Sequence, residues 1–473
     1  MLNSKVITIL SSFNKGDLNQ FRKYLLSPFF NENEGLIHLF DLLLPVILGK
    51  NKQLQKELLW KQLFGKTPYH DIQFRRLMSD LNKHAQQFLA YRHFEKDSFN
   101  VQMRLLDGLQ EPKLEKHFNA TIRSIGQTLD KKDIRDSSYH EYKFHFEYHQ
   151  HKYLEKSKIK KNDFSNLEKA DHHLNCFYIS QKLKHYCDLL GYQRFLSRDS
   201  HIELLPSFIE YVGQSDYLKE PAVQAYYTIC MMYRFPEEES YFQHLKQYLE
   251  NNLQHFPREE QKTLYIFAMN YCIYLQIHNG KRKYLGELFQ LYHKVLDEEL
   301  IFEKGYLDPN HYKNIISAGL QTREFDWVEN FIQVYTDRLA EKHQDNALNY
   351  NLANLYFHKK EYSKVIEQLR EVEYTNLSYA LGGKLILLRT YYELGEFNAL
   401  DSLIDSFRIY LRRNKLISKD VQQQYLNALR FTKKLISIPT YDKASLQKIS
   451  MQIEQSKAVA AKRWLLDKIA AAL

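Results

Sequence analysis

Glycine and proline are scarce in this chain, at 15 and 10 among 473 residues, less than half of what average usage of roughly 7% and 5% would give. So few breakers exclude a turn-rich β architecture. Together with abundant Leu, Lys, Gln, Glu and Tyr they predict helix nearly throughout. Cysteine is scarce too. The four, Cys176, Cys187, Cys230 and Cys272, have no CxxC spacing and sit in apolar helical runs. That excludes a disulfide framework and a cysteine metal motif, and predicts buried free thiols and a reducing compartment. Long hydrophobic runs are missing as well. The apolar stretch near the N-terminus, VITIL at 6–10, is too short for a signal-peptide core or a membrane span. It reads as the first helix of a cytoplasmic protein with no membrane partner. There is no glycine-rich phosphate loop, no GxSxG and no Cys/His nucleophile pair, and the carboxylates are scattered over helix faces. The expectation is a protein that is not an enzyme and holds no cofactor and no metal. Spacing alone is blind to a site assembled across a fold.

Aromatic residues are plentiful, with 35 Tyr and 29 Phe. Such rings suit wide helix–helix seams, where the tyrosine hydroxyl can still find a polar partner. The net charge of +9 is unevenly placed. Arg408, Arg412, Arg413, Lys415, Lys419, Arg430, Lys433 and Lys434 fall in one stretch whose sole acid is Asp420, giving +7 (8 minus 1). This basic patch predicts either a solvated helix end, where cations favour the dipole, or an anionic partner such as an acidic protein surface, RNA or a phosphorylated protein.

Taken in order, residues 1–95 read as an N-terminal helical bundle. Gly16-Asp17 is a candidate cap, SPFFNENEG (27–35) a turn, and Pro45 a kink or stop. A long helix from Asp71 carries Phe74, Leu77, Met78, Leu81, Ala85, Phe88 and Leu89 on one face. Residues 96–202 read as a connecting region of long helices, interrupted by the charged loop EKSKIKKNDFSN (155–166). From 203 to 412 the helices pair regularly, and 413–473 reads as a basic segment followed by capping helices, with one last helix over 443–471 whose Leu446, Ile449, Ile453, Val459, Trp464, Leu465 and Ile469 are expected to cover the open end of the stack.

The clearest regularity lies between Ala347 and Leu411. Leu352 aligns with Leu387, Tyr356 with Tyr391, Phe357 with Tyr392, and Glu361-Tyr362 with Glu396-Phe397, an offset of 35 (387 minus 352). Phe325 falls opposite Tyr362 at a step of 37, so three hairpins fit one frame: 309–340, 346–374 and 378–412. A two-helix repeat of about 34 residues resembles the tetratricopeptide family. The small residue Ala353, the aromatics Tyr356 and Tyr391, and the turn ELGEF around Gly395 carry the resemblance. Leu388, Val365, Leu400, Val372 and Phe407 stand where the family has smaller residues, which implies wider helix spacing.

The resemblance implies an all-α, right-handed α-solenoid of antiparallel helix hairpins with an irregular N-terminal helical unit. It also implies a concave groove lined by the first helix of each hairpin, acting as a non-enzymatic scaffold for another protein or peptide. The matching groove positions are Tyr350, Asn354, Phe357 and His358, then Leu385, Arg389, Tyr392 and Glu393, with Lys313, Ser317 and Gln321 in the unit before. Asn354 stands where some members hold a peptide backbone or terminal carboxylate. The lysine usually found one turn earlier is Tyr350 here, so a full carboxylate clamp is not expected. The alternative for these rings is packing inside a tightly curled array.

Two further patterns are weighed against these. KELLWKQLFGKTPYHDIQFRRLMSDLNKH resembles a helix-turn-helix and offers Gln73, Arg75, Arg76 and Lys83 to a nucleic-acid groove. It lacks a β wing, its turn is long, and the first 100 residues hold 14 basic against 9 acidic residues, a weak footprint for DNA. Glu141, His145 and His149 share a helix face at a spacing of four. A second carboxylate set is missing and HFEYH is not HEXXH, so surface or seam histidines are expected rather than a metal site.

Overall fold

The computed structural model describes residues 4–49, 55–156, 164–196, 202–277, 280–372, 377–439, 442–456 and 458–473. They form twenty-three α-helices and one minute β-hairpin, so the all-α expectation holds. The chain divides into two compact units, residues 1–133 with 137–178, and residues 134–136 with 179–473. The sequence suggested four segments.

The first unit contains α1 (Lys5–Ser11), α2 (Lys15–Leu26), α3 (Glu34–Ile47), α4 (Lys56–Phe64), α5 (Asp71–Lys96), α6 (Ser98–Gly108), α7 (Glu115–Asp130), α8 (Ser137–Lys156) and the start of α9 (Ser165–Leu196). Helices α1, α2, α3 and α5 pack around Phe21, Leu25, Phe40, Leu81 and Ala85, all fully buried. The predicted stripe of α5 is the buried one, with Met78 and Leu89 at its margins. The cap of α2 is Asn14 rather than Gly16-Asp17. Asn14 Oδ1 accepts from the Asp17 amide and Asp17 accepts from the Asn14 amide, a reciprocal pair that satisfies two otherwise orphaned donors. Helix α3 ends two residues past Pro45. Of the charged interruption expected at 155–166, residues 157–163 lie outside the described residues.

The second unit continues from α9 through α10 (Leu205–Gly213), α11 (Pro221–Arg234), α12 (Glu239–Asn252), α13 (Arg258–Asn270), α14 (Tyr284–Asp297), α15 (Pro309–Thr322), α16 (Phe325–Tyr335), α17 (Glu341–Lys359), α18 (Tyr362–Arg370), α19 (Leu377–Leu394), α20 (Phe397–Arg413), α21 (Lys419–Ser437), α22 (Lys443–Gln455) and α23 (Lys462–Ala472). From α10 onward each helix packs on the next in sequence. Odd-numbered helices also pack on one another: α11 on α13, α15 on α17, α17 on α19 and α21 on α23. All four cysteines are free thiols inside the fold, and no helix among the described residues is long and apolar enough to cross a membrane.

The repeat frame has a backbone signature. Arg323, Lys360 and Gly395 each end a helix with positive φ, at 67°, 63° and 71°. The next residue in each case is a glutamate whose amide reaches five residues back: Glu324 to Gly319 O, Glu361 to Tyr356 O and Glu396 to Tyr391 O, all at 2.9 Å. This is the left-handed C-cap that satisfies the last carbonyls of a helix. The glutamate then precedes the aromatic that opens the second helix, Phe325, Tyr362 or Phe397. The seam residues Val365, Leu388, Leu400 and Phe407 are fully buried, so their bulk is accommodated between helices.

Three features depart from the sequence expectations. The final helix over 443–471 is two helices, α22 and α23. Between them Asn427 Nδ2 donates to Ala458 O at 2.7 Å, the Ala460 amide donates to Gln424 O at 3.0 Å, and Ala461 takes φ 53°. The break is thus tied down onto α21, which overrides the apolar periodicity running across it. A two-residue hairpin, β1 (Phe302–Glu303) with β2 (Tyr306–Leu307), turns at Lys304-Gly305, both at positive φ. Finally, α13 continues as a π-helical stretch over Tyr271–Ile277.

Candidate functional site

The groove positions chosen from sequence lie on α15, α17 and α19, and several converge on the last helix of the chain. Arg389 lays its guanidinium over the Phe357 ring, 4.0 Å from the centroid, with Trp464 of α23 at 5.9 Å. Trp464 Nε1 donates to Glu393 Oε1 at 2.8 Å and Lys468 Nζ donates to Oε2 at 2.6 Å. The Trp464 indole also meets Tyr392 edge-on at 5.1 Å. Trp464 and Lys468 are one helical turn apart, so α23 presents both to α19 from one face.

The electrostatics follow from this crowding. Arg389 Nε is buried without a hydrogen-bond partner. Burial pulls the guanidinium down to about 10, against the opposing effects of Glu393, Tyr350 and Tyr362. His358 is pulled down to about 4, first by burial and then by Arg389, so it is neutral at pH 7. Tyr350 is 9% exposed and its ring meets Tyr379 at 4.9 Å. Its hydroxyl lies so near Gly382 that a Cβ there would collide with it. Burial lifts Tyr350 to about 12. Phe357 is 7% exposed, and Asn354 is half-buried. On α15, Ser317 accepts from Gln321 Nε2 at 3.3 Å, and burial lowers the Lys313 pKa. The C-terminal part of the predicted groove is therefore a packed seam, in which Phe357, Arg389, Tyr392 and Glu393 hold α23. Sequence reading placed Trp464 on a helix covering the end of the stack but not against Glu393, and missed Lys468; the two lie 71 and 75 residues beyond Glu393. For Lys468 the one available signal was its place one helical turn after Trp464.

The basic patch is arranged around the α20–α21 turn. Arg408 pairs with Asp405 at 3.0 Å, Lys433 with Asp401 at 3.3 Å, and Lys434 bonds Gln452 at 3.0 Å. Arg412, Arg413 and Lys415 are exposed and have no ion-pair partner among the described residues. Leu416, beside them, is 85% exposed. On α5, Arg75 is held by Asp71 at 2.7 Å and Lys83 by Asp80 at 3.5 Å, while Gln73 and Arg76 are exposed. Half of the candidate nucleic-acid contacts are thus neutralised by their own helix. Glu141, His145 and His149 do not gather their ligand atoms; His149 Nε2 lies 3.7 Å from Asp107 instead. No family model matches the chain, and no curated protein or solved structure matches it either.

Proposed function

We propose that the second unit is a tetratricopeptide-like, right-handed α-solenoid of antiparallel hairpins that serves as a non-enzymatic scaffold. In this reading it binds another protein in the cytoplasm through the face formed by the odd-numbered helices. The observation that carries the reading is the threefold recurrence of the left-handed cap at Arg323, Lys360 and Gly395, with odd helices stacked on odd helices. Such stacking leaves one face built from first helices alone, the surface on which helical repeats commonly receive extended or helical peptides. The packing of α23 against Arg389, Tyr392 and Glu393 moves the open part of that face toward α9, α11 and α13, and leaves Arg412, Arg413 and Lys415 as a separate cationic edge.

The test is lysine-directed cross-linking of the tagged full chain in its native cells, read by mass spectrometry. A stoichiometric partner linked to lysines of odd-numbered helices, such as Lys182 or Lys184, is expected. Links confined to even-numbered helices, or no stoichiometric partner, would overturn the reading. The pairing of Arg75 and Lys83 within α5 gives no support to a nucleic-acid reading of the first unit.

A further inference from the structure

A cavity of about 360 Å³ opens among α9, α11, α13 and the π-helical stretch, well away in sequence from the Arg389 seam. Thr263, Ile266, Phe267, Asn270 and Tyr274 line it from one side. Their spacing places them on one face of the α13 helix and its continuation. A π-helical turn holds an extra residue, and such insertions are frequent at functional sites. Here the insertion carries Tyr274. From the opposite wall, α9 contributes Asp188, Gly191 and Tyr192, at i, i+3 and i+4. Tyr233 of α11 completes the lining, and its hydroxyl donates to Phe267 O at 3.2 Å. The Tyr233 and Phe267 rings meet edge-on at 6.1 Å, which fixes both.

Asp188 is the one charged group in this lining. Among the described residues its carboxylate has no ion pair and no hydrogen bond. The nearest cations belong to its own helix, and Lys184 is committed elsewhere, to Glu260 at 3.4 Å with its ammonium over the Tyr226 ring. Partial burial raises the Asp188 pKa, against the pull of Lys184 and His185. Tyr192 stands 65% exposed at the rim. Gly191 sits inside α9, where glycine costs roughly 1 kcal/mol relative to alanine. A Cβ there would meet nothing within 4 Å. Packing therefore does not demand glycine at 191; the residue keeps the cavity wall open.

We propose that this cavity is a binding site for an alkylammonium or guanidinium cation, the end of a lysine or arginine side chain of a partner protein, held by Asp188 between tyrosine and phenylalanine rings. A carboxylate at one end and ring faces along the walls complement such a cation. The rings attract the charge, while Ile266 and Phe267 receive the methylene stem. Tyr192, exposed at the rim, is placed to cover it. The exposed, unpaired Asp188 carboxylate at the edge of an aromatic cavity is complementary to a basic side chain of a partner segment. This names the partner chemistry of the odd-helix face and rests on that reading of the second unit.

The experiment is saturation-transfer NMR on the purified full chain with four probes: the N-acetyl N-methylamides of lysine, arginine and norleucine, and putrescine. Transfer to the cationic side-chain ends is expected, with little to norleucine. Asp188→Asn, which removes the charge at constant shape, and Gly191→Phe, which fills the mouth, should each cut it about fivefold or more. Neither variant should lower the thermal midpoint, and Gly191→Phe should raise it slightly. A capped residue outcompeting putrescine identifies a side chain as the occupant, and the reverse identifies a free diamine. Equal transfer to norleucine, or transfer that survives Asp188→Asn, overturns the site. If the probes bind but cross-linking finds no partner on this face, the cavity stands and the scaffold reading falls. If a partner is found and the probes fail, the reverse holds.

Discussion

At the residue scale, the second unit keeps titratable groups where their charged forms are disfavoured, and His358 shows the consequence. Its imidazole lies beside the Phe325 and Phe357 rings and faces the Arg389 cation. Burial and that cation bring it to about 4 in the folded state, against 6.5 for an unstrained imidazole. A folded-state pKa below the unfolded one means that the unfolded chain takes up the proton first. The contribution is therefore whole above pH 6.5 and is lost as pH falls toward 4. Between pH 7 and pH 5 His358 alone should cost the fold about 2 kcal/mol. The check is urea unfolding at both pH values for the wild type and His358→Gln, whose side chain does not titrate. The wild type should lose about 2 kcal/mol more than the variant on acidification. Identical losses would show that His358 is solvated or already protonated. Arg389 tells the same story from the other side: its charge persists because the Phe357 face and the Glu393 carboxylate partly replace lost water.

At the element scale, the hairpin turns explain what the sequence could reveal. ELGEF announced its turn through Gly395, and the frame of 35 to 37 residues followed from aromatic and glutamate positions. The equivalent turns use Arg323 and Lys360, residues with no left-handed preference, so their backbone was invisible to a composition argument although the frame located them. The break between α22 and α23 was illegible for a related reason. Local periodicity favoured one helix, and the side chain of Asn427, 31 residues upstream of Ala458, imposed the break through a tertiary hydrogen bond. The candidate site suffered most. Lys468 and Asp188 acquire meaning only once distant helices are brought together, whereas Trp464 was legible as a covering residue and Arg389, Tyr392 and Glu393 were found because they occupy repeat positions. The three turns also make a graded prediction. A non-glycine residue in the left-handed region is strained by roughly 1 kcal/mol or more, and glycine is not. Arg323→Gly and Lys360→Gly should each stabilise the second unit by about 1 kcal/mol, and Gly395→Ala should destabilise it by a similar amount. Thermal or urea midpoints measure all three. A loss of stability in both glycine variants would mean that the αL conformation at these caps is not what the turns require.

At the scale of the whole molecule, charge is distributed by pairing across seams and surplus at one edge. Lys246–Glu287, Lys359–Glu329 and Lys468–Glu393 each tie two different helices together, at 2.5, 2.5 and 2.6 Å. Cations so paired cannot serve a partner without breaking a seam. Arg412, Arg413 and Lys415 are left outside such pairs, exposed beside the protruding Leu416. Exposed charges of this kind contribute little to stability, with a median of about 0–1 kcal/mol even when paired. Their replacement should leave the fold intact. They do set a local positive potential that reaches about 10 Å at 0.1 M salt and decays faster as salt rises. An acidic polypeptide should therefore bind the chain at about 30 mM salt and be released by about 300 mM. Fluorescent poly-L-glutamate tests this by anisotropy, beside an oligodeoxythymidine of equal charge. The combined variant Arg412→Glu, Arg413→Glu, Lys415→Glu should weaken poly-glutamate binding about tenfold or more while the thermal midpoint stays put. Undiminished binding in that variant would place the anionic contact elsewhere. An oligonucleotide that binds more tightly than poly-glutamate, and depends on the same three residues, would turn this edge from a protein contact into a nucleic-acid one. The cation cavity at Asp188 would keep its own separate dependence on an oppositely charged ligand, because added salt weakens binding at both sites while charge reversal at 412, 413 and 415 weakens it at one.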